Sequence, residues 1–535
     1  MTSVEPLTLL VDRIGIERYA WLCKTLDATA SSGDTDRLVN ASEFFRILVE
    51  RHIDWLASEA DVSQPSIDLL LKTAEADLLK AGDEVSFGKT LRILRQRAML
   101  HIVWRSFTSS QGLAETLEAM TTLADFVIQK AVDFAEQAVT ARFGQAIGAE
   151  TGAVQKLIVV GMGKLGGREL NLSSDIDILF IFDEGGVTAG GRASTSNQEY
   201  FTRVAQMVIR LIDSVTADGR VFRVDTRLRP FGDSGALVAS YHSLENYYQQ
   251  HGRDWERYAL LKSRCITGTW EQQTPFQHLA RQFVYRRYTD FSVIDGLRDM
   301  KALIDTERAA KGLVNDVKRG AGGIREAEFI VQSYQLVRGG RIPAIQQVGF
   351  REALESLVQA QCLEPEIAHG LRHHYQQLRQ LEHGVQALRD EQTHSLPTES
   401  SSKEFLCKLL GYRHWNELFD AYQVSCSFIG GEFDRLLGES VSRPNLILAL
   451  DTQTPTIDRS ALSSLALSSE ASIGAVLETF VSEGRLRAMD TEASQRLQKL
   501  LPLLVKEVDR HLDVSASLER ALSIVSVILK RSAYL

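Results

Sequence analysis

Along most of the 535-residue chain, apolar residues recur at helical spacing. Leu91, Leu94, Ala98 and Ile102 fall on one face of a 3.6-residue period, as do Leu113, Leu117, Met120, Ala124 and Val127. Stripes of this width predict amphipathic helices packed as a bundle. Between Gln155 and Arg229 the period changes. Leu157–Val160 and Asp175–Phe182 are short runs rich in Ile, Val and Phe, bounded by Gly or Ser, which predicts strands. Helical patterning returns over Asn197–Val215, where Phe201, Ala205, Val208 and Ile212 share a face. A third strand-like run, Val221–Leu228, sets Val221, Arg223, Asp225 and Arg227 against Phe222, Val224, Thr226 and Leu228.

From Gln273 onward helical patterns resume, interrupted by a polar loop at Thr393–Ser402 and a Pro/Thr-rich linker at Asp451–Pro455. Only 10 prolines occur in the whole chain, consistent with long uninterrupted helices. The expected fold class is α+β and predominantly α-helical, with a mixed sheet flanked by helical bundles. The length suggests about three or four domains. The pattern divides as a helical region at 1–153, a sheet-containing domain at 154–270, a helical domain at 271–450 and a C-terminal helical region at 451–535. The final residues, SIVSVILKRSAYL, end inside an apolar helical pattern without a stop signal, which suggests a chain cut short.

Composition narrows the classes. Hydrophobic residues make up 44% and charged residues 24%, the balance of a folded globular chain. The net charge of −9 argues against a nucleic-acid coat while leaving room for a local basic groove. No run of apolar residues is long enough to span a membrane. The first twenty residues carry too many charges for a signal-peptide core. Cys23, Cys265, Cys362, Cys407 and Cys426 lie far apart, which fits free thiols in a reducing cytoplasm.

The most informative stretch is GMGKLGGRELNLSSDIDILFIF, Gly161–Phe182. Gly161, Gly163 and Gly166 spell G-x-G-x-x-G, but a second strand begins where a dinucleotide site needs a helix. The frame of a P-loop is also missing around Lys164. Asp175 and Asp177 are one residue apart in an apolar strand, so both carboxylates point to the same face. Like charges so close repel, and they persist where water or a cation neutralises them. One reading is a solvated strand edge. The other is a carboxylate clamp for Mg²⁺, a hard cation that takes oxygen ligands and shares its shell with phosphates. Asp225 would complete the set, unless it simply pairs with Arg223 or Arg227. The glycines of the turn let backbone approach a phosphate, with Lys164 adding charge and Ser174 a hydroxyl.

Four motifs, GMGKLGGRELNLSSDID, VFRVDTRLRPFGDSG, YYQQHGRDWERYALLKSR and DVKRGAGGIREAEFIVQ, resemble those of the bifunctional glutamine synthetase adenylyltransferase/adenylyl-removing enzymes. That family belongs to the DNA-polymerase-β-like nucleotidyltransferases. The resemblance implies that 154–270 is the catalytic domain, with Asp175, Asp177 and Asp225 as catalytic residues and ligands of one or two Mg²⁺ ions. It implies a nucleotide-phosphate cradle of Gly163, Lys164, Gly166, Gly167 and Ser174, with Arg227 and Arg229 as further candidates. Arg229 could instead cap local structure before Pro230. Arg253, Asp254, Glu256 and Arg257 read more readily as internal ion pairs. Lys318, Arg319 and the Gly320–Gly323 turn precede a helix start, and of Glu326 and Glu328 only one can face the site. His373, His374 and His383 read as surface or core residues.

Family members carry two nucleotidyltransferase halves, whereas one D-x-D copy occurs here, and GGIREAEFIVQ resembles the AMP-removing half. The implied reaction is phosphorolysis of adenylyl-tyrosine on glutamine synthetase, giving ADP and free tyrosine. Implied partners are glutamine synthetase, the PII signal protein (its uridylylated form favouring removal), and ADP with phosphate, or ATP. The competing readings are forward transfer of AMP from ATP and a non-catalytic regulatory helical protein.

Overall fold

The computed structural model describes residues 6–27, 33–58, 67–108, 112–285, 315–437, 446–448, 456–465, 467–482, 491–509 and 513–528. Positions 301, 306, 308, 310, 312 and 313 are described as well. The fold is α+β and dominated by helices. The chain divides into two compact units, Met1–Leu437 and Gly438–Leu535. The linker expected at 451–455 and the last seven residues lie outside the described residues.

The first unit is organised around a small mixed sheet. Its central strands are β2 (Ile158–Gly161) and β3 (Ile176–Phe182), paired antiparallel with Gly161 opposite Ile178. On the far side of β3, β5 (Val224–Asp225) and β6 (Val238–Ser240) pair parallel to its two ends, and β7 (Arg264–Cys265) flanks β2. A separate two-stranded ribbon joins β1 (Gly144–Gly148) to β4 (Gly186–Gly190). The strand expected over Val221–Leu228 is ordered as a ladder only at Val224–Asp225. The backbone N–H of Arg227 donates to the Asp225 side chain at 2.8 Å, so the chain turns away from the sheet at once.

Both faces of the sheet are buried, which explains why its strands read as continuous apolar runs. Leu157, Val159, Ile176, Ile178, Phe180 and Phe182 face a core built from the N-terminal helices. Chief among these are α1 (Glu84–Thr108), α2 (Leu113–Phe143) and α3 (Asn197–Asp213). Helix α3 starts where the Ser196 hydroxyl accepts the Glu199 N–H, and it seats a fully buried Phe201 against Phe182 with ring centroids 4.9 Å apart. Burying one such side chain contributes roughly 1.5–3 kcal/mol.

The alternate residues Ile158, Val160, Leu179 and Ile181 face a second core. That core is supplied by α4 (Ile324–Arg338), α5 (Pro365–Ala387) and α6 (Trp415–Leu437). Asp177 shares this face by strand alternation, so the carboxylates sit where α4 and α5 meet the start of β3.

The second unit has its own core, in which Leu462, Ile473, Leu477, Leu497, Leu501 and Leu518 are fully buried. Among the described residues, no helix is long and apolar enough to cross a membrane. All five cysteines are free thiols.

Candidate active site

The glycine-rich segment leaves β2 as one short helical turn, Gly163–Gly166, and is tied to β3 by Met162 N–H donating to the Asp177 carbonyl at 2.8 Å. Gly163 has φ of +53°, and a Cβ there would lie 3.1 Å from Asp177 Oδ2, so the bare backbone abuts the carboxylate. Gly166 serves a different contact. A Cβ on it would fall 1.9 Å from the Lys262 carbonyl oxygen, so this glycine lets the turn pack against the strand that carries Arg264. At Gly167 the nearest atom to a Cβ would be Glu169 Oε2, at 3.2 Å.

Asp177 on β3 and Asp225 on β5 are register partners across adjacent parallel strands. Asp177 carries no side-chain hydrogen bond or ion pair among the described residues. Burial, then repulsion from Asp225, pushes its carboxyl up to about 6, although Lys318 pulls the other way. Asp225 is clasped by the Arg227 side chain, with Nε 3.0 and 3.1 Å from its two oxygens, and these hydrogen bonds hold its carboxyl below the usual range. Asp175 accepts from Arg223 Nε at 2.6 Å and from Gln392 Nε2 at 2.7 Å. Of the two arginines weighed as partners of Asp225, Arg227 holds it, whereas Arg223 pairs with Asp175 instead.

With two of the carboxylates so engaged, no group of three or more His, Cys, Asp or Glu side chains encloses an ion-sized space among the described residues. The donor set itself suits a hard divalent cation. It offers three carboxylates at one strand end, the middle one unpartnered and strained by its neighbours' charge. The arginines are the groups that a cation would displace.

The remaining expected residues are placed as follows. Ser174 is half-buried and lines a cavity with Arg223. Arg229 bonds within its own turn, to Thr226 Oγ1 at 2.8 Å and to the Gly235 carbonyl at 3.3 Å. Of Arg253, Asp254, Glu256 and Arg257, the first two are exposed and the last two buried, and they bond among themselves. The Arg253 N–H donates to Glu256 at 2.8 Å, and buried Arg257 reaches the Val284 carbonyl at 2.9 Å. Lys318 lies close enough to act electrostatically on Asp177, Glu328 and Glu382. Glu326 turns back to the Gly322 N–H at 2.9 Å, while Glu328 faces inward.

Lys164 does not stand free above the turn. Its ammonium is 3.1 Å from Glu382, a fully buried residue of α5. Glu382 also meets Arg379 Nε at 3.3 Å and His394 Nδ1 at 3.0 Å. Lys262 bridges Glu169 at 2.7 Å and Glu328 at 3.3 Å, and Tyr375 donates to Glu328 at 3.2 Å. Burial, with Arg379 nearby, pushes Lys164 down to about 7 against the pull of Glu382. Against burial, Lys164, His394 and Arg379 hold Glu382 well below the carboxylate range. This ionic lattice bolts the glycine-rich turn to α4 and α5. Sequence reading missed Glu169, Lys262, Arg379 and Glu382, of which the first two lie between elements and the last two on α5.

Residues 33–279 match the family model described as glutamate-ammonia ligase adenylyltransferase, and residues 298–437 match that described as GlnD PII-uridylyltransferase. Among curated proteins, similar chains are named bifunctional glutamine synthetase adenylyltransferase/adenylyl-removing enzyme. The one from Pseudomonas putida is 38% identical over 514 residues, covering 94% of this chain and 53% of the relative. The one from Xanthomonas campestris pv. campestris is 39% identical over 447 residues, 83% and 48% respectively. The one from Idiomarina loihiensis is 35% identical over 531 residues, 97% and 56%. The chain is thus a homologue of the bifunctional glutamine synthetase adenylyltransferase/adenylyl-removing enzymes, and it spans about half the length of the relatives it matches.

Proposed function

We propose that this chain removes AMP from adenylylated glutamine synthetase by phosphorolysis. The observation that carries the reading is the facing of Asp177 and Asp225 beside the bare backbone of Gly163, with arginines poised on the neighbouring carboxylates. The direction of the reaction rests on GGIREAEF at 322–329, which resembles the AMP-removing half of such enzymes.

In the reaction, an oxygen of hydrogen phosphate bonds to the α-phosphorus as the bond from phosphorus to the tyrosyl oxygen breaks. The proton of hydrogen phosphate ends on the departing phenolate, and the products are ADP and tyrosine. Nucleophile and diester are both anionic, so the main obstacle is charge repulsion. A divalent cation held by Asp177, Asp225 and Asp175 would supply charge neutralisation and alignment of the two phosphates. Arg223 and Arg227, released from their carboxylates on binding, are placed to take phosphate oxygens in their stead. Gly163 gives the close approach, and the Lys164–Glu382 pair fixes the turn that carries it. A phenol with a pKa near 10 leaves readily enough that a dedicated general acid is unnecessary.

The partners on this reading are glutamine synthetase and the PII signal protein, the uridylylated form of which favours removal. The protein would act in the cytoplasm. Transfer of AMP from ATP would use the same carboxylates, and the cosubstrate requirement separates the two. Mixing the chain with adenylylated glutamine synthetase and Mg²⁺ should release ADP only when orthophosphate is present. Consumption of ATP with AMP transfer, or no nucleotide release at all, would overturn the proposal.

A further inference from the structure

A cavity of about 200 Å³ opens beside Asp175, and its lining is basic. Arg51 comes from the helix Glu43–Ser58, Arg95 from α1, and Arg220 and Arg223 from the segment leading into β5. Ser173 and Ser174, just ahead of β3, complete the wall nearest the carboxylates. Four guanidinium groups from three distant stretches of chain thus converge on one small space.

Three of the four guanidinium groups face a carboxylate. Asp390 pairs with Arg95 at 3.0 Å, Asp213 lies 3.6 Å from Arg220, and Asp175 takes Arg223. Asp218 also lines the cavity. Arg51 has no ion-pair partner among the described residues. The Nε–H of Arg95 is buried without an acceptor, and that of Arg220 has only Asp213 Oδ1, at 3.6 Å, beyond hydrogen-bond reach. Buried N–H donors are nearly always satisfied, so the Arg95 orphan and the poorly met Arg220 donor have room for a further acceptor in the cavity. A tetrahedral oxoanion offers several oxygens, and guanidinium forks match them in geometry. The space is large enough, since a water takes about 30 Å³.

We propose that this cavity binds a phosphate oxoanion, held by Arg95, Arg220 and Arg223 next to Asp175. It rests on the phosphorolysis reading only in naming orthophosphate as that anion; the terminal phosphate of a nucleotide has the same chemistry. An anion seated here lies one side chain, that of Arg223, away from Asp175. The site draws residues from the N-terminal helical region into the chemistry, which the motifs around Asp175 do not reveal.

The test is equilibrium binding by the whole chain, followed calorimetrically at constant ionic strength. Orthophosphate, ADP and ATP are titrated in separate arms against wild type, Arg95→Gln, Arg220→Gln and the exposed control Arg435→Gln. Because Arg95 also pairs with Asp390, thermal unfolding of each variant confirms folding, and Arg220→Gln, with its longer ion pair, keeps the test open if Arg95→Gln fails to fold. The expected result is saturable orthophosphate binding that weakens roughly tenfold or more in Arg95→Gln and Arg220→Gln, the loss of a charge-assisted hydrogen bond. The control should match wild type. Arginine-dependent binding of ADP or ATP without orthophosphate binding would reassign the anion to a nucleotide and overturn orthophosphate as the ligand. No saturable binding, or binding indifferent to both substitutions, would overturn the site. Orthophosphate binding without ADP release would leave the site standing and remove the proposed activity instead.

Discussion

Replacing Asp177 with Asn removes a charge that the folded protein accommodates at a cost. Burial and the neighbouring Asp225 raise this carboxyl from 3.8 to about 6. A shift of about 2 units, at about 1.4 kcal/mol each, sets an upper value near 3 kcal/mol for the penalty of holding it ionised. The side chain is only half-buried, so solvent screening brings the expectation to about 1–3 kcal/mol. The sign follows from proton binding. With the folded pKa raised, the unfolded chain binds fewer protons than the folded one between about pH 4 and pH 6, so stability falls as pH rises through that window.

Asp177→Asn should therefore unfold at a higher temperature than wild type at pH 7.5 without divalent ions, and its advantage should shrink toward pH 5. Mg²⁺ should narrow the difference. At ten times its dissociation constant a ligand stabilises by about 1.4 kcal/mol, and only wild type keeps the carboxylate. Differential scanning fluorimetry across pH, with and without Mg²⁺, measures both effects. A variant no more stable than wild type at pH 7.5, or equal stabilisation of both proteins by Mg²⁺, would refute the reasoning.

Other substitutions probe the supports of the site. Glu382→Gln leaves Lys164 and Arg379 buried without their counter-charge and should cost roughly 3–5 kcal/mol, read as a lower urea midpoint at unchanged slope. Gly166→Ala drives a methyl group into the Lys262 carbonyl and should destabilise by about 1–3 kcal/mol or more, whereas Gly167→Ala meets nothing closer than Glu169 Oε2, at 3.2 Å, and should be milder in the same denaturation assay. Arg227→Gln breaks an exposed ion pair, so stability should move by less than about 1 kcal/mol while ADP release falls roughly tenfold or more, a split that thermal unfolding and initial rates separate.

The elements that carry the carboxylates were readable from the chain because their patterns are strong. Ile176–Phe182 is a bounded, mostly apolar run too short for a helix, and Phe201, Ala205, Val208 and Ile212 mark a single helical face; apart from half-buried Asp177 all of these side chains are buried. The two-stranded ribbon of Gly144–Gly148 and Gly186–Gly190 was not readable, since GQAIG and GVTAG carry little apolar alternation. The third strand was expected too long because alternation continues through Arg227, while the turn made by the Asp225 side chain depends on one hydrogen bond.

The ionic lattice was hidden for another reason. Arg379 and Glu382 look like ordinary surface charges on a helix, and their partners on the glycine-rich turn lie more than two hundred positions earlier in the chain. His383 proved to be a core residue, 3.2 Å from Asn171. Local pattern marks where charges occur, whereas burial and long-range pairing decide which of them build a site.

The claim that this chain catalyses phosphorolysis is tested most directly by the fate of the attacking phosphate. Radiolabelled orthophosphate would be incubated with the chain, Mg²⁺ and adenylylated glutamine synthetase, and the nucleotide product separated and degraded. The account predicts label in the β-phosphate of ADP, none in AMP, and loss of the product with Asp177→Asn. Unlabelled AMP as the product, or no nucleotide release from adenylylated glutamine synthetase, would contradict it.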